Sequence, residues 1–274
     1  MPKDISADTL EDDFALDGDF APASDHGSDQ EELVNIKAQT KKRQLDGSAS
    51  NTDSTAKKKK KKKSEQRGPR TIAKFATPQS LEDQAQLWNR CMQKAYPGIA
   101  QLELDDISMQ PKHMYKTQDE PDHASASYLE DLVKTAVSSG KGKNKITFGA
   151  PQVLVICSSA LRVIDLVKQL RPLTKRAVLK LFSRHIKISE HQKLLKSTAL
   201  DIAVGTPNRI HKLLDEGDLK VNRLRLVAID CWQDEKMRVV IDMDDTRADL
   251  FAIWRDILLP ASANPDYGFK FRLV

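Results

Sequence analysis

Thr206, Pro207, Asn208 and Arg209 close a short apolar run in "DIAVGTPNRI" (Asp201–Ile210). A hydroxyl, the N–H groups of a helix start and a guanidinium together make an anion-binding set. A helix N-terminus carries about half a positive charge, and an arginine can grip an oxyanion with two parallel donors. A second candidate set lies in "LRLVAIDCWQDE", where Asp230 ends an apolar run and Cys231, Trp232 and Gln233 follow. One carboxylate can hold Mg²⁺, because that ion keeps several waters. Ser158 and Ser159 close a third apolar run, "QVLVICSS". For each, the plain alternative is a turn that merely joins a strand to a helix.

Other groups carry less chemistry. "SSGKGKN" (Ser138–Asn144) comes nearest to the phosphate cradle Gly-x-x-x-x-Gly-Lys-Ser/Thr. Its Gly140 and Gly142 are too close together, Asn144 stands where a hydroxyl should follow the lysine, and no buried strand precedes it. It reads as a basic loop. Asp242, Asp244 and Asp245 read as a polar loop before a helix, favourable to its dipole. His185 and His191 read as surface histidines. Cys91, Cys157 and Cys231 have neither metal nor redox spacing and read as reduced intracellular thiols. Trp232 reads as a plug filling the space of a nucleotide, with a base-stacking platform as the alternative. No metal or cofactor is expected.

The elements that position these groups follow from hydrophobic period. A helix is expected from Thr77, with Pro78 in its first turn, a stripe of Leu81, Ala85, Trp88, Met92 and Ala95, and a stop at Pro97-Gly98. "LELDDISMQPKHMYKT" reads as an irregular connection. Ser127 and Glu130 make a capping box for a second helix facing inward through Leu129, Leu132, Val133, Ala136 and Val137. From Pro151 the rhythm changes. "QVLVICS", "AVLKLFS", "DIAVG" and "LRLVAID" are apolar runs suited to buried strands. Between them lie helical patterns. "SALRVIDLVKQL" faces inward through Leu161, Ile164, Val167 and Leu170, "SEHQKLLKS" carries Ser189 and Gln192 as a capping box, and "PNRIHKLLDEG" starts with Pro207. A last helix is capped by Thr246, with Leu250, Phe251, Trp254, Ile257 and Leu258 inward. "YGFKFRLV" alternates as an outer strand with one wet face, Lys270 and Arg272. Such alternation predicts an α/β fold, a parallel sheet with flanking helices, whose ligands sit at the carboxyl ends of the strands. That edge carries Ser158-Ser159, Thr206–Arg209 and Asp230–Gln233.

The N-terminal region is different in kind. Residues 1–32 are strongly acidic, then the sign reverses through Lys41–Arg43 and the unbroken run Lys57, Lys58, Lys59, Lys60, Lys61, Lys62 and Lys63. With so little apolar surface to bury, residues 1–70 read as a disordered acidic-then-basic arm. Residues 71–150 form a helical preface and 151–274 the α/β lobe. The two basic clusters look like a nuclear import signal, and the lysine run suits RNA phosphates in a salt-sensitive, sequence-blind way. No apolar run has membrane length and the acidic start lacks the apolar core of a signal peptide, so a soluble, non-secreted protein is expected.

Three strings carry a resemblance. "VLVICSSALRVIDLVKQL" is similar to the region around motif Ia of DEAD-box RNA helicases, "DIAVGTPNRIHKLL" resembles their motif Ib, and "LRLVAIDCWQDE" stands where they carry Asp-Glu-Ala-Asp. This implies a RecA-like, P-loop-NTPase-like lobe. It also implies that Thr206, Pro207, Asn208 and Arg209 hold one RNA phosphate and Ser159 another. The departures are equally specific. Walker A is missing, Cys231 replaces the water-activating Glu, Gln233 replaces the last Asp, and Ala160 replaces the motif Ia arginine. The 274 residues hold one lobe, whereas these helicases close two lobes on ATP and draw an arginine finger across.

The charged arm, helical preface and one degenerate lobe resemble the Cms ribosomal small subunit homolog family, with "CSSALR", "LFSRHIK" and "VGTPNRI" as the most specific strings. The resemblance implies association with early small-subunit pre-ribosomes in the nucleolus, and the kept motif Ib beside lost nucleotide motifs points to a non-catalytic RNA- and protein-binding factor of small-subunit biogenesis in the nucleus and nucleolus. Its partners would be pre-rRNA or small nucleolar RNA and pre-ribosome assembly proteins, with no membrane. An atypical ATP-binding NTPase and a pure protein scaffold are the alternatives.

Overall fold

Residues 75–116, 127–139, 147–264 and 266–274 are described by a computed structural model. The N-terminal arm, including Lys57–Lys63, and most of the basic loop at Ser138–Asn144 lie outside the described residues.

The four apolar runs form strands β1 (Val153–Ile156), β2 (Ala177–Leu181), β3 (Leu200–Gly205) and β4 (Leu226–Ile229), and the C-terminal run forms β5 (Lys270–Leu273). They make one five-stranded sheet in the order β2-β3-β1-β4-β5, with every neighbouring pair parallel. The three central strands are buried along their whole length, as continuous apolar runs between two helical layers must be. This α/β layering, a parallel sheet with flanking helices, is the fold the alternating pattern predicts.

The helices are α1 (Leu81–Ala95), α2 (Gln101–Asp106), α3 (Tyr128–Ser139), α4 (Ala160–Leu170), α5 (Ile188–Ser197), α6 (Pro207–Asp215), α7 (Asp244–Ala252) and α8 (Leu259–Ser262). α3 and α4 pack on one face of the sheet. On the other, Leu154, Ile156, Ala203, Val227 and Ile229 share a core with Trp88 of α1, Leu195 of α5, Ile210 and Leu213 of α6 and Phe251 of α7. Trp88 is its aromatic centre, with ring centroids 4.7 Å from Phe251 and 6.1 Å from Trp254. The first helix is therefore part of the sheet's own core.

Local differences from the sequence reading have local causes. α1 starts at Leu81 because Ser80, not Thr77, caps it, accepting from the Asp83 N–H at 3.0 Å. The connection after it contains α2, folded over the buried Leu104. α4 is rotated from the expected face. Val163, Leu166, Val167 and Leu170 are buried, while Leu161 is 58% exposed. In α5 it is Glu190 that reaches back, accepting from the Lys187 N–H at 3.3 Å, whereas Gln192 bonds Glu216. Thr246 lies inside α7, its hydroxyl donating to the Val240 carbonyl at 3.1 Å. A π-helical turn (Ile253–Leu258) follows α7 just before Pro260, which has no N–H to continue the ladder. The wet face expected of β5 holds at Lys270, which is exposed, but not at Arg272. Arg272 is fully buried, donating from Nε to the Tyr128 hydroxyl at 2.6 Å and from Nη1 to the Tyr115 carbonyl at 2.9 Å.

Candidate functional site

The carboxyl ends of β3, β1 and β4 lie side by side, with Ile156 level with Gly205 on one neighbour and Ile229 on the other. The ladder runs one residue further at each tip. Cys157 N–H donates to Gly205 at 3.0 Å, Asp230 N–H to Ile156 at 2.9 Å, and Thr206 N–H to Leu181 at 2.9 Å. The three motif turns therefore leave the sheet together. Gly205 is required by this crowding, because a Cβ there would meet the Leu181 carbonyl oxygen and lie 2.6 Å from the Leu181 Cβ.

Ser159 caps α4, its hydroxyl accepting from the Arg162 N–H at 3.3 Å. The neighbouring Ser158 hydroxyl is buried with no hydrogen-bond partner among the described residues. Thr206 is the N-cap residue of α6 and Pro207 its first residue, as expected; Thr206 is partly exposed and Pro207 is buried. Both helix starts face the tips of the sheet.

Asn208 and Arg209 are placed otherwise. Asn208 donates to Asp249 of α7 at 3.1 Å, and the same carboxylate contacts His211 at 2.9 Å. Arg209, expected to project outward, is only 6% exposed. Its Nη1 donates to His191 Nδ1 and its Nη2 to the Ile186 carbonyl, both at 2.8 Å. The guanidinium ties α6 to the connection between β2 and α5. His191, expected on the surface, is correspondingly buried. Burial and the Arg209 charge push its pKa down to about 4, so the ring is neutral at pH 7.

Asp230 carries the second departure. It is 3% exposed, and both of its oxygens accept from Arg162, Oδ2 from Nε at 2.7 Å and Oδ1 from Nη2 at 2.8 Å. Burial works to lower the Arg162 pKa, but the hydrogen bonds and charge of Asp230 outweigh it and leave the pKa raised. The sequence reading did not single out Arg162. Its signal was position: three residues beyond the Ser159 cap, in the first turn, a long side chain leans back toward the strand tips. Arg162 also covers one face of Trp232, its Cζ 5.2 Å from the ring centroid. Trp232 is 45% exposed at this edge.

The two substituted positions have structural uses. Cys231 is buried, burial raises its thiol pKa, and its N–H donates to the Val274 carbonyl at 2.7 Å. Gln233 Oε1 accepts from the Phe75 N–H at 2.7 Å. It thus ties Phe75 to this same edge. Among the described residues no cluster of His, Cys, Asp or Glu could hold a metal ion. Asp242 and Asp244 pair instead with Lys94 and Arg247, each at 2.7 Å. Nor is any described helix long and apolar enough to cross a membrane.

The chain is similar to several known proteins. Human Protein CMSS1 is 29% identical over 154 residues, covering 56% of this chain and 54% of its own length. Protein CMSS1 of Danio rerio is 35% identical, covering 54% of this chain and 51% of its own. Protein CMS1 of Chaetomium thermophilum is 36% identical, covering 44% and 48%. The chain thus spans about half the length of the curated relatives it matches. Among solved structures, it is similar to the yeast DEAD-box splicing factor Prp28, at 17% identity and a TM-score of 0.41, covering 55% of this chain and 34% of that one. It is also similar to a Dbp5 variant of S. cerevisiae bound to RNA and ADP BeF3, at 11% identity and a TM-score of 0.38, covering 67% and 43%. Residues 32–259 match the family described as "CMS1: U3-containing 90S pre-ribosomal complex subunit", and the chain belongs to that family.

Proposed function

We propose that this chain is a non-catalytic RNA- and protein-binding factor in nucleolar biogenesis of the small ribosomal subunit, acting in the early pre-ribosome during pre-rRNA processing. The family description, a subunit of a 90S pre-ribosomal complex, supports the setting. One observation carries the reading of mechanism: both oxygens of Asp230 are engaged by Arg162. A guanidinium held on both oxygens takes one lone pair of each and sets a positive charge beside the carboxylate, which disfavours Mg²⁺ there. Beside it, Cys231 offers no base to activate water. What remains at the edge suits a polyanion: the starts of α4 and α6, the hydroxyls of Ser159 and Thr206, and the cation of Arg162. The lysine run Lys57–Lys63 adds sequence-blind attraction. The RNA would be pre-rRNA or a small nucleolar RNA, and the protein partners assembly factors in the nucleus and nucleolus.

The test is the salt dependence of RNA binding by the full chain. Seven lysines each neutralising one phosphate of a single strand give a log–log slope of about −5. Replacing Lys57–Lys63 with neutral residues should flatten that slope, and adding Ser159→Ala and Thr206→Ala should weaken what remains. A slope unchanged by the lysine replacement contradicts the arm's role. A second reading, a protein scaffold whose helicase-like edge has no RNA, draws on the internal engagement of Asn208 and Arg209. It predicts that armless protein shows no RNA affinity at all.

A further inference from the structure

We infer that Trp232 and Arg162 form a stacking platform for one unpaired RNA base at the carboxyl end of β4, an inference that rests on the RNA-binding reading above. Large exposed apolar side chains are few among the described residues, and two of them, Trp232 and Leu161, flank Arg162 at this edge. Trp232 is the exposed tryptophan, since Trp88 and Trp254 are 1% and 0% exposed.

The platform is built in advance. Asp230, itself buried, holds the Arg162 guanidinium by two hydrogen bonds of 2.7 and 2.8 Å, and the guanidinium lies 5.2 Å from the Trp232 ring centroid. A cation on one face of an indole fixes the ring. The exposed remainder of the ring can then accept a second planar group at little conformational cost. Only two of the five N–H donors of Arg162 are spent on Asp230, so the same side chain can meet a phosphate or a base carbonyl. The surroundings favour a base over an apolar peptide. The platform adjoins the start of the eleven-residue α4 and the hydroxyl of Ser159, groups that suit a backbone phosphate next to the stacked base.

The one exposed tryptophan makes the platform directly readable. Full-length protein is titrated with a mixed-sequence single-stranded oligoribonucleotide and, separately, with an abasic strand of equal length, while acrylamide quenching of tryptophan emission is followed. The base-bearing strand should quench Trp232 or shield it from acrylamide, and the abasic strand should bind through charge without doing either. Trp232→Ala should weaken binding of the base-bearing strand by roughly five- to a hundredfold and leave the abasic strand unaffected, while Trp232→Phe retains most of the affinity. If both strands bind, Trp232→Ala binds them as wild type does, and acrylamide access is unchanged, the platform is overturned while RNA binding stands. If neither strand binds, the RNA-binding reading falls and takes the platform with it. Quenching by free ATP as strong as by the strand, at equal nucleotide concentration, would also overturn a strand site.

Discussion

Arg162 meets Asp230 edge-on across 68 residues of sequence, with its Nε and Nη2 on the two carboxylate oxygens at 2.7 and 2.8 Å. The pair joins the first turn of α4 to the carboxyl end of β4. The Asp230 side chain is 4% exposed and that of Arg162 21%. Losing one partner therefore strands a buried charge, whereas losing both does not. Arg162→Met should cost about 3 kcal/mol of unfolding free energy, while Arg162→Met with Asp230→Leu should cost distinctly less. Urea denaturation of the two variants checks this. With Asp230→Leu as the third variant, a double cost equal to the sum of the two single costs would mean that the pair is not coupled.

His191 supplies a pH dependence with a definite sign. An arginine can only donate, so His191 Nδ1 accepts from Arg209 and Nε2 carries the proton toward the Lys180 carbonyl, both at 2.8 Å. Burial, then the Arg209 charge, lower its pKa from 6.5 to about 4. The unfolded chain therefore binds this proton more readily than the native one. The contribution is whole above pH 6.5 and is lost as pH falls toward 4, by roughly 3 kcal/mol in all. Urea midpoints measured from pH 7 to 4 should fall less steeply in His191→Gln than in the wild type.

Gly205 tests the crowding at the strand tips. Gly205→Ala would press a methyl against the Leu181 carbonyl and Cβ, and should cost about 2–3 kcal/mol. Gly98→Ala, where nothing lies within 4 Å, is the matched control and should be close to neutral. Thermal unfolding of the two variants separates a steric requirement from a general intolerance of alanine.

Period and punctuation carried much of this fold. The runs that became β1 and β4 are apolar without interruption, and β3 is so from Ile202 onward, because both faces are covered, and Pro207 marked the start of α6 without ambiguity. Those facts alone bring Ser159, Thr206 and Asp230 to one edge. What stayed hidden was the direction of charged side chains. Arg209 and Arg272 looked like surface residues because their burial depends on partners far away in sequence: His191 and Ile186 for one, Tyr128 and Tyr115 for the other. The face of α4 was misread for a related reason. Leu161 fits the apolar stripe in sequence, yet the cap at Ser159 sets a rotation that turns Val163 and Leu166 onto the sheet and leaves Leu161 outside.

The most direct test of a carboxylate already satisfied by arginine is calorimetric titration of the purified chain with ATP in the presence of Mg²⁺, alongside its melting temperature. The account predicts no saturable heat and no nucleotide-dependent rise in melting temperature. A saturable rise that requires Mg²⁺ and disappears in Asp230→Asn would contradict it.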